Sequence, residues 1–262
     1  MPISGPDILL YEKKDKIVTI TINRPERLNA ISLELIDRMR EAWFRFKDDD
    51  DAWVAILTAA GDKAFSSGFD LLDYSEKLKD GAANKPLNLP YCTPALLDVW
   101  KPVICAINGY AVAGGFLLAQ HCDIRIAAEH AKFGISETRW NMGAFWVVDL
   151  TRQLSLAHTL ELALWGDARL PAQRLYEMGW LNRVVPADKL MEEAYSWAER
   201  MCYLAPRCVR NLKEIIYRGF YMPPSEGIAF GKALEQNLLG MEDSAEGPMA
   251  FAQKRKPQFK NK

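Results

Sequence analysis

Two segments, in each of which a predicted strand leads through small residues into a helix, constrain this sequence most. The first, residues 63–71, reads KAFSSGFDL and follows a strand predicted at residues 53–58. The second, residues 107–116, reads INGYAVAGGF and follows a strand at residues 103–107. Small residues let the backbone approach a ligand, and a helix start has unpaired N–H groups. Two such donors at one oxygen would form an oxyanion hole, whereas either segment alone more often serves only packing.

Beyond these segments, the hydrophobic pattern predicts an α/β core followed by a helical C-terminal part. Short β-rich runs predict strands, and a helix with one apolar face begins near Ser32, a good N-cap residue. The predicted strands lie at residues 8–11, 17–22, 53–58, 103–107, 123–127, 132–133 and 181–185. The predicted helices lie at residues 32–46, 116–120, 155–165, 172–179, 187–204, 209–217 and 225–240. Residues 80–90, rich in Gly, Ala, Asn, Lys and Pro, predict a mobile surface loop.

Composition argues against several classes of protein. The formal net charge of the 262 residues is -1, so no overall charge favours binding to nucleic acid or to an anionic membrane. The sequence has no run of about 18 apolar residues, and its start has no secretory pattern. Five scattered cysteines without a CxxC pair, and three histidines that do not cluster, predict reduced thiols and no metal site. We therefore expect a cytoplasmic globular protein.

A series of short motifs runs in order along nearly the whole chain, from about residue 8 to residue 259. They are NRP and LNA within residues 23–30, FSSGFD at 65–70, KPV, NGYA and GG within 101–115, CD at 122–123, FG and a glutamate within 133–137, GD at 166–167, and FAQKRKPQF at 251–259. In this order, the motifs resemble those of the crotonase (enoyl-CoA hydratase/isomerase) superfamily.

The resemblance implies a fold, an assembly and a substrate. The fold would be an α/β, crotonase-type spiral of ββα repeats with a C-terminal helical trimerisation region. The core with the CoA and acyl site would occupy residues 1–200, and the helical region, for oligomerisation and CoA contact, residues 201–262. The assembly would be a homotrimer or a hexamer (a dimer of trimers), without nucleic-acid or membrane partners. The substrate would be an acyl-CoA thioester, and no separate cofactor is implied.

The resemblance also implies where the substrate binds. It places the two backbone donors at Ser67 and Gly114, which would hold the oxygen of a thioester enolate. The basic run at residues 254–262 would otherwise be a solvated tail, but its Lys254 and Arg255 could then meet CoA phosphates. Glu26 departs from the family, since hydratases often have a basic residue there. The remaining CoA contacts by matching position are Arg27, Leu28, Ala30, Ser66, Gly68, Asp70, Leu71 and Gly115, with Phe251 and Lys254 reaching in from a neighbouring subunit.

Glu137 is the candidate proton carrier. It follows Ser136, which can cap a helix, and a carboxylate in a first helical turn often has no further role. The resemblance matches Glu137 to one of the two hydratase glutamates, and an apolar pocket would raise its pKa toward the range useful for proton exchange. The position of the other hydratase glutamate holds Leu117, which cannot transfer a proton. This departure favours isomerisation, which needs one base, over hydration, which two carboxylates assist.

Residues 138–149 depart from the glycine-rich stretch of hydratases and contain three large rings, Trp140, Phe145 and Trp146. These rings either pack the loop against the core or line the acyl pocket, where they could stack on a cyclic or aromatic acyl group. Asp149 is a candidate second carboxylate, although a surface or capping role is the favoured interpretation.

The sequence therefore predicts an enzyme of the enoyl-CoA hydratase/isomerase type, either a lyase or an isomerase. It would stabilise a thioester enolate in a backbone oxyanion hole and use Glu137 to isomerise or hydrate an enoyl-CoA. One alternative is another crotonase reaction, namely hydration of a cyclic dienoyl-CoA, decarboxylation or thioester hydrolysis. Another is a CoA-binding homologue without catalysis, which Leu117 favours and Glu137 opposes.

Overall fold

Two β-sheets organise the described part of the chain. The structure is a computed structural model that describes residues 7–79 and 92–262, so the loop predicted at residues 80–90 lies outside the described residues. The strands are β1 (Leu9–Lys14), β2 (Ile17–Ile22), β3 (Val54–Ala59), β4 (Ala64–Ser66), β5 (Val103–Ile107), β6 (Tyr110–Val112), β7 (Ile124–Ala128), β8 (Lys132–Gly134), β9 (Leu170–Pro171) and β10 (Arg183–Val185). One sheet has the order β1-β2-β3-β5-β7-β10, and the other has the order β4-β6-β8-β9.

Helices connect the strands and form the C-terminal part. They are α1 (Leu33–Asp48), α2 (Leu71–Lys79), α3 (Gly114–Gln120), α4 (Val147–Leu150), α5 (Leu156–Leu164), α6 (Ala172–Glu177), α7 (Leu190–Met201), α8 (Pro206–Gly219), α9 (Pro224–Glu235) and α10 (Glu242–Ala252). Helix α1 begins as predicted, because the Ser32 hydroxyl accepts a hydrogen bond from the Leu35 N–H at 3.2 Å. The predicted α/β organisation is confirmed.

The larger sheet is apolar on both faces, as parallel strands covered on two sides should be. Within this sheet, the neighbouring strands β2, β3, β5, β7 and β10 pair in parallel, and β3 is buried along its whole length. Ala55 and Leu57 face a core cluster that contains Trp43 of α1, whereas the alternating Ile56 faces a second cluster that contains Ala194 of α7. The sheet is thereby held between α1 and α7, which leaves the smaller sheet to carry the candidate site.

The smaller sheet brings several loop starts to one edge. Strands β4, β6 and β8 run parallel, so the residues that follow each of them emerge at the same edge. Strand β9 pairs antiparallel with β8, with Phe133 opposite Leu170, and the residue before β9 therefore lies at this edge as well. We call it the carboxyl edge of the smaller sheet.

The sequence did not predict the short strands or the last helix. Strands β4, β6 and β9 have two or three residues each, too few to establish a period of two. Helix α10 contains Gly247 and Pro248, both of which disfavour a helix interior. The predicted division of the chain near residue 200 stays a prediction; α7 ends at Met201 and α8 begins at Pro206.

Candidate active site

The two strand-to-helix segments predicted to bind the substrate meet at the carboxyl edge. Gly68 has a φ of +91°, and a Cβ there would lie 2.8 Å from the Cβ of Ala113. A Cβ on Gly115 would collide with the carbonyl oxygen of Ser66. Each segment therefore requires glycine for contact with the other. Ser66 is fully buried between them, and its hydroxyl accepts a hydrogen bond from the Gly68 N–H at 3.2 Å.

The backbone donors of this site differ from the predicted pair. The N–H of Ser67 donates to the carbonyl of Leu28 at 3.1 Å and so is not free, which corrects the assignment of Ser67. The N–H groups of Phe69 and Gly114 have no acceptor among residues 7–79 and 92–262. They are also close together, because a Cβ on Gly114 would lie 3.5 Å from the Phe69 nitrogen. The available pair is therefore Phe69 and Gly114.

A backbone pairing explains why Phe69 has the free N–H. Ile31 donates its N–H to the Gly68 carbonyl at 2.8 Å, and its own carbonyl accepts from the Asp70 N–H at 3.0 Å. Successive N–H groups of an extended chain point to opposite sides, so the Phe69 N–H faces away from Ile31. No local pattern of residues distinguishes position 67 from position 69 as the donor.

Glu137 lies just beyond β8 at the same edge, and its side chain is only 8% exposed. Burial raises its pKa to about 7, although the backbone N–H groups of Glu137 and Ser136 oppose the shift. Its Oε2 atom has no hydrogen-bond partner in the described part of the chain. A buried carboxyl that is half neutral near pH 7, and whose Oε2 atom has no partner among the described residues, can both accept and donate a proton.

Ser136 does not cap a helix, contrary to the prediction. The helix that follows it, Glu137–Trp140, is a 3-10 helix, and the Ser136 side chain makes no capping hydrogen bond. Its Oγ is buried, again without a partner among the described residues. The backbone of Ser136 (φ −95°, ψ 3°) lies outside the extended region in which an N-cap hydroxyl reaches the next turn.

A cavity of about 670 Å³ joins these groups. Glu137, Phe69 and Gly114 line it, and so does Leu117 on α3, which leaves no carboxylate at that position. Asp149 does not line this cavity. Its Oδ1 instead accepts hydrogen bonds from Arg152 at 2.6 Å and from the Tyr221 hydroxyl at 2.9 Å. The interpretation of Asp149 as a second carboxylate beside Glu137 is therefore wrong.

The three rings of the loop at residues 138–149 all line the cavity, but they differ in burial. Trp146 is 5% exposed and stacks on Phe116, with ring centroids 6.1 Å apart. Phe116 in turn stacks on Trp180 at 4.4 Å. Trp140 and Phe145 are 56% and 69% exposed. Trp146 therefore has both predicted roles, packing and lining, whereas the other two rings form the mouth of the cavity.

The predicted CoA contacts fall into three groups. Arg27, Leu28, Ala30, Ser67, Asp70 and Leu71 line the cavity on the side of β4. Ser66, Gly68 and Gly115 do not line the cavity and instead form the contact between the two segments. Phe251 and Lys254 are near the end of α10; they do not line the cavity of their own chain, and Phe251 is 87% exposed.

Asp70 is held by arginines. Its carboxylate forms ion pairs with Arg24 at 3.2 Å and with Arg27 at 3.4 Å, and it is itself buried. The Asp70 carboxylate therefore holds the Arg27 side chain at the cavity wall. Arg169 also lines the cavity, although no sequence motif marks it as a site residue. It reaches the cavity because it immediately precedes β9 at the carboxyl edge.

The described residues contain neither a metal-binding cluster nor a membrane-spanning helix. No group of three or more His, Cys, Asp or Glu side chains among them is placed to bind a metal ion. Over the same residues, no helix is both long enough and apolar enough to cross a membrane.

Several known proteins that resemble this chain are named as hydratases or as members of the hydratase/isomerase family. The family model for enoyl-CoA hydratase/isomerase matches residues 12–262. The chain is 34% identical to (E)-benzylidenesuccinyl-CoA hydratase of Thauera aromatica, over 95% of this chain and 97% of that protein. It is 36% identical to enoyl-CoA hydratase EchA19 of Mycobacterium tuberculosis, over 99% and 98%. The crystal structure of an enoyl-CoA hydratase/isomerase from Mycobacterium paratuberculosis matches with a TM-score of 0.87 and 31% identity, over 98% and 99%. With its crotonase fold, the chain belongs to the enoyl-CoA hydratase/isomerase family.

Proposed function

We propose that the protein catalyses proton transfer on an enoyl-CoA thioester, giving double-bond isomerisation or hydration. The thioester oxygen binds the N–H groups of Phe69 and Gly114, and Glu137 carries the proton. The observation that carries this proposal is one cavity lined by two free N–H groups and a buried carboxyl with a pKa of about 7. Preorganised donors of this kind stabilise the charge that develops on an enolate oxygen.

The geometry suits a mechanism with one carboxylate. In isomerisation, Glu137 removes a proton from C2 of a 3-enoyl thioester, and the resulting dienolate oxygen accepts hydrogen bonds from Phe69 and Gly114. The same carboxyl then returns the proton to C4, which moves the double bond to C2. In hydration, Glu137 takes a proton from water as the oxygen adds to C3, and returns a proton to C2. Neither route needs a second carboxylate, although hydration needs a site for water.

Two observations pull the choice between these reactions in opposite directions. Leu117 on the cavity wall offers no hydrogen bond to water, which favours isomerisation. The names of the relatives, two of them hydratases, favour hydration. A parallel assay of 2-enoyl-CoA and 3-enoyl-CoA decides between them. If Glu137→Gln turned over each substrate at the same rate as wild type, the role of Glu137 as proton carrier would be contradicted. Acyl-CoA binding without turnover would favour a non-catalytic homologue.

A bulky or cyclic acyl group is a second candidate feature of the substrate. It is favoured by the three rings, Trp140, Phe145 and Trp146, that line the cavity, and by the name of the Thauera relative. A panel of linear, branched, dicarboxylic, cyclic and aromatic enoyl-CoA thioesters tests it. The panel also detects decarboxylation and thioester hydrolysis, because their products, carbon dioxide and free CoA, differ from those of hydration.

The protein would act as a homotrimer or as a hexamer. The support is a set of exposed apolar side chains on the C-terminal helices, among them Leu212, Ile216, Ile228 and Phe251. A neighbouring copy would cover them, and its Phe251 and Lys254 would complete the CoA site. Light scattering on the purified protein tests this, since a trimer has three times the chain mass of 29.7 kDa.

A further inference from the structure

Two arginines line the cavity on the side of Glu137. Arg139 lies two residues after the carboxyl, in the 3-10 helix Glu137–Trp140, and Arg169 immediately precedes β9. Arg169 Nη1 donates to the carbonyls of Ala168 at 2.7 Å and Gly166 at 3.3 Å, which anchors one arm of its guanidinium. These two side chains are called the arginine pair below.

The order of the strands places the arginine pair at the acyl end of the cavity. Along the carboxyl edge, β4, β6, β8 and β9 present Phe69, Gly114, Glu137 and Arg169 in that order. Ile31 pairs with Phe69, which puts the segment with Arg27 on the opposite side, that of the predicted CoA contacts. A thioester whose oxygen binds Phe69 and Gly114 would therefore extend its acyl group past Glu137 toward the arginine pair.

The positive charge of the arginine pair is not neutralised within the described residues. Neither guanidinium lies within ion-pair distance of a carboxylate there, and Arg139 lies over the ring of Trp140 at 5.5 Å. Burial lowers the pKa of Arg169, the like charge of Arg139 lowers it further, and Asp167 and Tyr110 oppose this. Of the acids that line the cavity, Asp70 is ion-paired with Arg24 and Arg27 at the other end.

We infer that the acyl group carries a carboxylate that binds the arginine pair, so that the substrate is the CoA thioester of an unsaturated dicarboxylic acid. The inference rests on the proposed function, because that function fixes the position of the thioester oxygen. A guanidinium presents parallel N–H donors that match the two oxygens of a carboxylate, and charged hydrogen bonds of this kind are stronger than neutral ones. The rings of Trp140 and Phe145, which line the same cavity, would contact the apolar portion between the two ends.

The test compares substrates that differ only at the distal end. Glutaconyl-CoA and hex-2-enedioyl-CoA are assayed beside their distal methyl esters, with wild type, Arg139→Gln, Arg139→Glu and the double variant Arg139→Gln/Arg169→Gln. The matched control is Arg183→Gln, whose exposed arginine on β10 pairs with Glu193 at 3.4 Å, outside the cavity. The readout is the ratio of kcat/KM for acid and ester, which does not depend on the fraction of folded enzyme.

For wild type, we expect a ratio of about 10 to 100 in favour of the acid at one chain length or both. Arg139→Gln should lower the ratio about tenfold and Arg139→Glu should lower it further, while Arg183→Gln leaves it unchanged. A wild-type ratio near one at both lengths, or a ratio that Arg139→Glu and the double variant leave unchanged, overturns the inference.

Binding of the saturated analogues separates this inference from the proposed function. Glutaryl-CoA, adipoyl-CoA and their distal methyl esters cannot react at a double bond, and calorimetry measures their Kd directly. A preference for the acids that Arg139→Glu abolishes, without turnover of any enoyl-CoA, supports the inference and contradicts the proposed function. Turnover of enoyl-CoA esters and acids at equal rates, with equal Kd for the analogues, supports the proposed function and contradicts the inference.

Discussion

The backbone nitrogen of Phe69 lies 3.5 Å from the point that a Cβ on Gly114 would occupy. The backbone of Gly114 is not in the left-handed region, so its conformation alone does not require glycine. The same point lies 3.2 Å from Ile31 Cδ1, the nearest side chain. A methyl group there would enter the space between the two free N–H groups and leave helix α3 formed.

Gly114→Ala should therefore reduce activity without unfolding the protein. Obstruction of one donor should lower kcat about 10²–10³-fold, the loss seen when an oxyanion-hole donor is removed. Thermal unfolding should change little, since alanine is acceptable in the first turn of a helix. Gly219→Ala is the matched control, because a Cβ there meets no atom within 4 Å. A kcat within about threefold of wild type in Gly114→Ala would exclude this donor pair.

Glu137 should make the stability of the protein depend on pH. Its carboxyl has a pKa of about 7 in the folded state and about 4.3 in the unfolded chain. Below the unfolded value both states hold the proton; above it, the unfolded state releases the proton first. The stability is thus full at low pH and is lost as the pH rises through about 7, by on the order of 3 kcal/mol.

The comparison with Glu137→Gln isolates this effect from every other titrating group. Glutamine has nearly the shape of the neutral acid and does not titrate, so urea unfolding should give wild type and variant similar stability near pH 4. The variant should become the more stable protein near pH 8. Parallel stability curves over this range would show that Glu137 is not buried with a raised pKa. Activity should be lost in the variant at every pH.

The large elements of the fold were predictable, whereas the details of the site were not. Strands β2 and β5 have the predicted bounds because buried central strands are continuous apolar runs. The burial of Glu137 also follows from its apolar surroundings. The free N–H at Phe69, however, depends on the pairing with Ile31, and one of the two partners of Asp149 is Tyr221, 72 residues later. Such contacts between distant residues leave no periodic signal in a sequence.

Leu117→Glu should shift the reaction toward hydration. A carboxylate at this wall of the cavity would hold water near Glu137, and its charge would raise the pKa of Glu137 further, since like charges disfavour ionisation. The ratio of hydration of 2-enoyl-CoA to isomerisation of 3-enoyl-CoA should rise about tenfold. The acid limb of the pH–rate profile should also move to higher pH. Leu117→Gln, which binds water without a charge, is the control for the pH shift; a ratio unchanged in both variants would show that Leu117 does not limit hydration.

The two tryptophans of the loop should separate stability from substrate binding. Trp146→Ala removes a buried ring that stacks on Phe116, and it should cost roughly 3–5 kcal/mol of the free energy of unfolding. Trp140→Ala removes a mostly exposed ring and should cost less than about 1 kcal/mol.

Because both rings line the cavity, both variants should raise KM for cyclic or aromatic enoyl-CoA more than for crotonyl-CoA. Urea unfolding and steady-state kinetics measure the two effects. An equal loss of stability in both variants would contradict the burial difference, and an unchanged KM in both would exclude these rings from the acyl site.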